Sequence, residues 1–343
     1  IVPTLDGESL SFPTWEKVLS HCGRSLDGPI LDHKWCKDNA ITTGSGYLKM
    51  WLASLFKYPE QPLPYLAFYG PQDSGKSTFH EAVCQLILDG GYMDGALALQ
   101  SDANFNGELQ GSILCTLEEV DLRDKKIYQK VKDWVTSNQI SIHAKGQTPY
   151  KAPNYTHWVQ AVNDRDFIPK FPGDTRICVL YVDHLSETDK IPKRELWQRL
   201  QKEAPDFLAA LLSTEIPDSR DRLMLPVVKT VDAEAAEYSA MNPVEQFFKE
   251  CVHRINGASE SQEDVYQAFI TWLDNPDEAM QWSKSKFLRS VPQDIQQGRI
   301  SEKKNLLKYL GNISLKADTP QAPKWNKVGL YLKRKLLTDG STV

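Results

Sequence analysis

Apolar positions along the chain change their spacing several times, and the changes divide it. Near the start, Trp15, Val18 and Leu19 fall on one helical face after Ser11-Phe12-Pro13-Thr14. Ile41, Leu48, Leu52 and Leu55 then repeat at helical spacing, with Gly44 and Gly46 interrupting. This predicts a mostly helical layer over residues 1–60, which suits an oligomerisation collar or a plain packing layer equally. Pro59, Pro62 and Pro64 stiffen the approach to a continuous apolar run, Tyr65-Leu66-Ala67-Phe68-Tyr69. A strand buried on both faces needs such a run. After the segment 70–78, Phe79, Ala82, Val83, Leu86 and Ile87 return to helical spacing.

Between residues 65 and 185 candidate strands and helices alternate, which predicts an α/β fold with a parallel sheet. Gly90-Gly91-Tyr92 ends the first helix, Ala96-Leu97-Ala98-Leu99 reads as a short strand, and Asn104-Phe105-Asn106-Gly107 as a turn. Residues 111–119 form a second apolar run that closes on two acids. Residues 128–138 are amphipathic. Residues 139–145 alternate, reach a polar tip at Gly146-Gln147-Thr148-Pro149 and resume at Tyr150, the pattern of a β-hairpin. Residues 156–162 make another apolar strand, ended by Asn163-Asp164. Phe171-Pro172-Gly173-Asp174-Thr175-Arg176 is a turn that feeds a strand over 177–182.

Residues 195–212 are helical, and 213–241 are polar, proline-interrupted and read as a linker. Asn242-Pro243-Val244-Glu245 carries N-cap, N1 and N3 signals of a helix start. Further helices are predicted over 262–273 and from Trp282, and a strand or hairpin over 325–336. The domains are therefore expected as 1–60 (helical layer), 61–212 (α/β core), 213–241 (linker) and 242–343 (mostly helical, basic, compatible with a winged-helix module).

Composition adds bounds. The chain has 343 residues, 41% hydrophobic and 25% charged, enough for two or three domains with a buried core. Mean hydropathy is -0.45, and no apolar stretch is long enough to cross a bilayer. Residue 1 is Ile and no signal peptide is legible, so a cytoplasmic location and an excised piece of a longer protein are expected. Six cysteines are scattered without a C-x-x-C pair, which predicts reduced thiols and no zinc site. The net charge of -5 is unevenly spread: residues 281–343 hold 13 Lys/Arg against 4 Asp/Glu, leaving -14 for residues 1–280. That tail also holds Trp282, Phe287, Tyr309, Trp325 and Tyr331. Basic and aromatic residues together suit nucleic acid, although a solvated basic face over an aromatic core explains them as well.

The sharpest chemistry lies in Gly70-Pro71-Gln72-Asp73-Ser74-Gly75-Lys76-Ser77-Thr78, which fits G-x-x-x-x-G-K-[ST]. Gly70 and Gly75 permit tight turns, and successive N–H groups at a helix start form a cradle for phosphate. Lys76 reaches the β/γ-phosphates, and the Ser77 hydroxyl is a hard oxygen ligand for Mg2+. Glu118 and Glu119 close an apolar strand, where ligands bind in open α/β sheets. Glu118 is expected to hold Mg2+, and Glu119 to orient and deprotonate an attacking water.

The ordered set, within about 110 residues, resembles the superfamily 3 helicases, AAA+-related motors, and most closely their poxvirus- and phage-type primase-helicase branch. Residues 70–78 match motif A, Leu117-Glu118-Glu119 motif B, the Lys145 hairpin segment B-prime, and Val162-Asn163 motif C. The resemblance covers about residues 65–290. It implies ATP and Mg2+ as cofactors, an Asn163 that senses the γ-phosphate, and a homo-oligomer, a hexameric ring in this family. Asp174-Thr175-Arg176 resembles the arginine finger that acts on a neighbouring subunit's ATP, with Arg165 as the competing candidate. His143, Lys145 and Lys151 are carried over as DNA contacts. Segment B-prime is matched only in part, and Thr175 stands where many relatives carry a second basic residue. The implied activity is ATP-dependent unwinding of DNA on single-stranded or forked substrates, during replication of a phage, virus or mobile element, in the host cytoplasm. A primase or polymerase domain upstream is compatible with this branch. Two other classes stay open: an ATP-switched initiator or loader that does not unwind, and a small-molecule or nucleoside kinase.

Overall fold

The computed structural model describes residues 1–4, 9–100, 105–120, 125–168, 174–186, 188–218, 222–231, 233–234, 238, 241–300 and 307–334. The chain forms two compact units, 1–237 and 238–343. The turn expected at 171–176 lies partly outside the described residues.

The first unit opens with four helices, α1 (Pro13–Gly23), α2 (Asp27–Asp32), α3 (Lys34–Asp38) and α4 (Gly44–Lys57). Strand β1 (Tyr65–Tyr69) follows, and then α5 (Thr78–Val83), which runs on as a π-turn over Cys84–Leu88. Next come β2 (Tyr92–Asp94), α6 (Ala96–Gln100), β3 (Leu114–Glu118) and α7 (Lys125–Thr136). Strands β4 (Gln139–Ile142) and β5 (Tyr150–Pro153) pair as the expected hairpin. Strands β6 (His157–Val162) and β7 (Ile177–Tyr181) and helix α8 (Lys193–Ser213) complete the main elements.

Five strands build a parallel sheet in the order β2-β3-β6-β1-β7. All five residues of β1 are buried, and its side chains alternate between two cores. Leu66 and Phe68 join the core that holds Trp15, Leu19, Trp51, Leu52 and Phe207. Tyr65, Ala67 and Tyr69 join the core of Leu117, Val131, Ile140 and Trp158 on the other face. The fold is thus mixed α/β, with helices covering both faces of a parallel sheet, as the uninterrupted apolar runs require.

The N-terminal helices share that first core. Trp15 stacks on Phe207 of α8 at 4.4 Å, and its indole Nε1–H donates to Leu200 O at 3.0 Å. Helices α1 and α4 meet backbone to backbone: a Cβ on Gly44 would stand 1.9 Å from Gly23 O.

Three expectations are corrected. Ala96-Leu97-Ala98-Leu99 is helical, not a strand. Asp94 Oδ1 accepts from Ala96 N–H at 2.9 Å and so caps the turn. Ala and Leu favour helix, and the strand forms just upstream, at β2. Residues 213–241 are not simply a linker, because Leu223, Leu225, Val228 and Thr230 are buried against the cores of the first unit.

The third correction concerns the second unit, which is not mostly helical. Its helices are α9 (Pro243–Cys251), α10 (Gln262–Trp272), α11 (Pro276–Met280) and α12 (Lys284–Ser290). Five strands accompany them: β8 (His253–Ser261), β9 (Gln296–Ile300), β10 (Lys308–Ser314), β11 (Trp325–Val328) and β12 (Tyr331–Arg334). They form one sheet in the order β11-β12-β9-β10-β8. Strands such as His253–Ser261 carry too few apolar residues to show a two-residue period, so the sequence hid them. The capping box of α9 forms as expected: Asn242 Oδ1 accepts from Val244 and Glu245 N–H, and Glu245 Oε2 accepts from Asn242 N–H.

Candidate functional site

The sheet register brings distant residues to one edge. Tyr69 pairs with Val162, so Gly70 and Asn163 follow side by side. Glu118 pairs with Ala161, so the Glu118-Glu119 end of β3 lies beside the same β6 terminus. In a parallel sheet every strand ends on this side, where ligands of open α/β folds bind.

The glycine-rich loop fills the gap between β1 and α5. A Cβ on Gly70 would lie 2.0 Å from Val182 O, so only glycine fits there. Gly75 has φ +83 and Asp73 φ +60, left-handed conformations that turn the loop back on itself. Ser74 N–H donates to Pro71 O and Thr78 N–H to Gly75 O. Among the described residues, the N–H groups of Asp73, Gly75, Lys76 and Ser77 donate no hydrogen bond within the chain. Ser74 Oγ is buried and without a partner among the described residues. Unspent donors on a tightly turned loop at a helix start fit an anion.

A chain of hydrogen bonds then joins three motifs that lie far apart in sequence. Lys76 Nζ donates to Asn163 Oδ1 at 2.6 Å and to Pro71 O at 3.1 Å. Asn163 Nδ2 donates to Glu119 Oε1 at 2.7 Å. Burial pushes the Lys76 ammonium below the usual lysine range, while Glu119, Asp73 and Glu118 pull it back up. Glu119 sits at φ +52, a left-handed conformation that is unusual for a side-chain-bearing residue and recurs at functional sites.

Two histidines escaped the sequence reading. His80, on α5 and 2% exposed, donates through Nε2 to Glu118 Oε1 at 3.1 Å. This hydrogen bond, with the nearby charges of His80, Lys193 and Lys76, holds the Glu118 carboxyl below the usual carboxylate range, against partial burial. His21, on α1, donates through Nε2 to Ser74 O at 2.7 Å and so ties the N-terminal helices to the loop. No sequence signal marks either, because each depends on an element brought close only in the fold. A cavity of about 480 Å³ opens beside the loop, bordered by Gly75, Thr78, His21, Arg24, Leu185 and Ile191.

The two candidate arginines lie at opposite edges of the sheet. Arg165 follows Asn163 on the loop side, with its guanidinium 5.8 Å from the centre of the Tyr69 ring. Arg176 precedes β7 on the far side, where its carbonyl accepts from Tyr65 N–H at 2.9 Å. Strand β1 separates it from its own loop by about 13 Å along the strand direction. Arg176 N–H donates to Asp174 Oδ1 at 2.6 Å, and the Tyr128 hydroxyl donates to the other Asp174 oxygen.

The hairpin residues belong to the separate two-stranded β4–β5 sheet. Lys145 and Lys151 are exposed, and His143 is half-buried against the Phe105 ring at 4.8 Å. Asn106 braces the hairpin: its Oδ1 accepts from His143 N–H at 2.8 Å, and its Nδ2 donates to Ser141 O at 2.8 Å. All six cysteines are free, five of them buried. Among the described residues there is no cluster of three or more His, Cys, Asp or Glu suited to a metal ion, and no helix long and apolar enough to cross a membrane.

Comparison with known proteins agrees with the architecture. A family of unknown function, DUF5906, matches residues 68–176, the span from β1 to Arg176. No curated protein matches the chain. Among solved structures, the apo C-terminal region of NrS-1 superposes with a TM-score of 0.61 at 15% identity, covering 92% of this chain and 77% of that one. A second structure of that region, in its A form, gives a TM-score of 0.58 at 17% identity, over 90% of this chain and 77% of the other. A third gives 0.56 at 19% identity, with 82% and 59% covered. At these identities the likeness is one of fold.

Proposed function

We propose that this chain is an ATP-hydrolysing motor that unwinds DNA, in the context of phage or viral replication. The observation that carries the reading is the hydrogen-bonded chain Lys76–Asn163–Glu119 beside a loop of unspent N–H donors. Phosphate, cation, polar sensor and carboxylate are the parts that phosphoryl transfer to water needs. The Gly70–Thr78 loop cradles the phosphates, and Lys76 balances their charge. Glu119 orients the water and takes its proton, and Asn163 links the two events. The cavity beside Gly75 has the size of a nucleoside recess. Ser77 and Glu118 are the residues to hold Mg2+, which supplies charge neutralisation at the β- and γ-oxygens when bound.

Arg176 serves a neighbouring copy rather than its own loop, because it stands at the far edge of the sheet. That reading requires a head-to-tail interface between copies, which closes into a hexameric ring in the family the sequence resembles. The β4–β5 hairpin, with Lys145, Lys151 and His143, is the single-strand contact. The likeness to the C-terminal region of NrS-1 supports the fold of this reading. A forked DNA duplex with ATP and Mg2+ tests it: strand displacement is expected, and ATP-dependent binding without displacement would favour the loader.

His80 is a positioning residue for Glu118 here. Groups that hydrogen-bond a ligating carboxylate are worth about 10–100-fold in metal affinity or activity. His80→Ala is expected to raise the Mg2+ concentration needed for half-maximal turnover by about tenfold, with His80→Gln recovering part of it. An unchanged Mg2+ dependence in the alanine variant would remove His80 from the site.

A further inference from the structure

The second unit carries a surface that the proposed reaction does not use. Its register aligns Lys308, Arg299, Tyr331 and Val328 across four neighbouring strands. Cross-strand partners project from the same face, so the four form one row about 14 Å wide. Lys333 and Asn326, a further registered pair, continue the same face along β12 and β11.

The opposite face fixes this row in place. Ile300, Tyr309, Trp325 and Leu332 are buried together there. Glycine lets them press onto the sheet: a Cβ on Gly311 would stand 3.1 Å from both Leu332 Cδ1 and Trp325 Cβ. Asn312 clamps the hairpin through Nδ2 to Trp325 O at 2.9 Å and Oδ1 from Trp325 N–H at 2.8 Å. Trp325 Nε1–H donates to Gly257 O at 2.9 Å. The outward row is therefore held before any partner arrives.

What the row presents is an open ring among cations. Tyr331 is 42% exposed and Val328 55%. Lys308 and Lys333 are exposed and Arg299 half-buried, and among the described residues none of the three forms an ion pair. Cations placed around an exposed aromatic side chain match a partner with phosphates and unstacked bases. A duplex buries its base faces and offers the ring nothing to stack on.

We propose that the open end of this face, beyond Leu310, which the helices of the second unit bury, binds single-stranded nucleic acid, with Tyr331 stacking on a base and Arg299, Lys308 and Lys333 holding phosphates. The site needs no ATP, so it stands or falls separately from the hydrolytic reading. The test uses the full chain with Lys145→Ala and Lys151→Ala already in place, so that the first unit's hairpin contributes little. Binding of a labelled oligo-thymidine is followed by anisotropy at several salt concentrations without nucleotide. Tyr331→Ala is expected to weaken binding about tenfold, with Tyr331→Trp retaining it. Arg299→Gln with Lys308→Gln is expected to flatten the log–log salt slope by about 1.4. Unchanged affinity in Tyr331→Ala, or an equal loss on a blunt duplex, would overturn the proposal. An equal loss on the duplex would indicate a general basic surface instead.

Discussion

Arg176→Ala is expected to lower ATP turnover by about 10³–10⁵-fold, the range for an arginine supplied to a transferring phosphoryl group. Nucleotide affinity is expected to change far less, since an arginine in that role acts on charge that develops during transfer. Arg176 precedes β7, on the sheet edge opposite the loop, and its backbone is tied to Tyr65 and Asp174. It cannot swing across β1 to its own loop without breaking those bonds. Arg165 stands on the loop side, against Tyr69. Arg165→Ala is therefore expected to cost much less. Mixing provides the sharper readout: Arg176→Ala subunits and Lys76→Ala subunits, each inactive alone, are expected to recover turnover together. Failure to recover in mixtures that do co-assemble would place both groups in one subunit's site.

Lys76→Ala is expected to lower turnover by about 10²–10³-fold, the scale for losing one preorganised charge donor. The lysine is 7% exposed and engaged by Pro71 O and Asn163 Oδ1, so its ammonium is already positioned. Removing it also frees Asn163, whose amide holds Glu119. A drop in the chemical step is thus expected alongside a loss of phosphate affinity. Assembly, measured by mass with ATP and single-stranded DNA present, is expected to persist. Wild-type-like turnover in the alanine variant would contradict the site.

Much of this arrangement was legible because its signals are local. An apolar run, two glycines five residues apart and a helical stripe already place the loop between β1 and α5. Glu118-Glu119 and Asn163 each close an apolar run, so their sheet edge followed from strand polarity alone. His80 and His21 were not legible. One needs the sheet to bring β3 under α5, and the other needs α1 to lie against the loop. Short alanine and leucine runs carry no period, which is why residues 96–99 read as a strand and fold as a helix. In the second unit, strands such as Gln296–Ile300 carry a single large apolar side chain, Ile300, and so show no alternation. Their pairing is decided by partners and by Gly298 and Gly311, not by hydrophobic alternation.

ATP turnover by the wild-type chain, measured with Mg2+ over a titration of single-stranded DNA, tests the account most directly. Turnover that rises several-fold with DNA and vanishes in Lys76→Ala is the predicted result. Turnover that is absent under all conditions, or robust and indifferent to DNA, would contradict it.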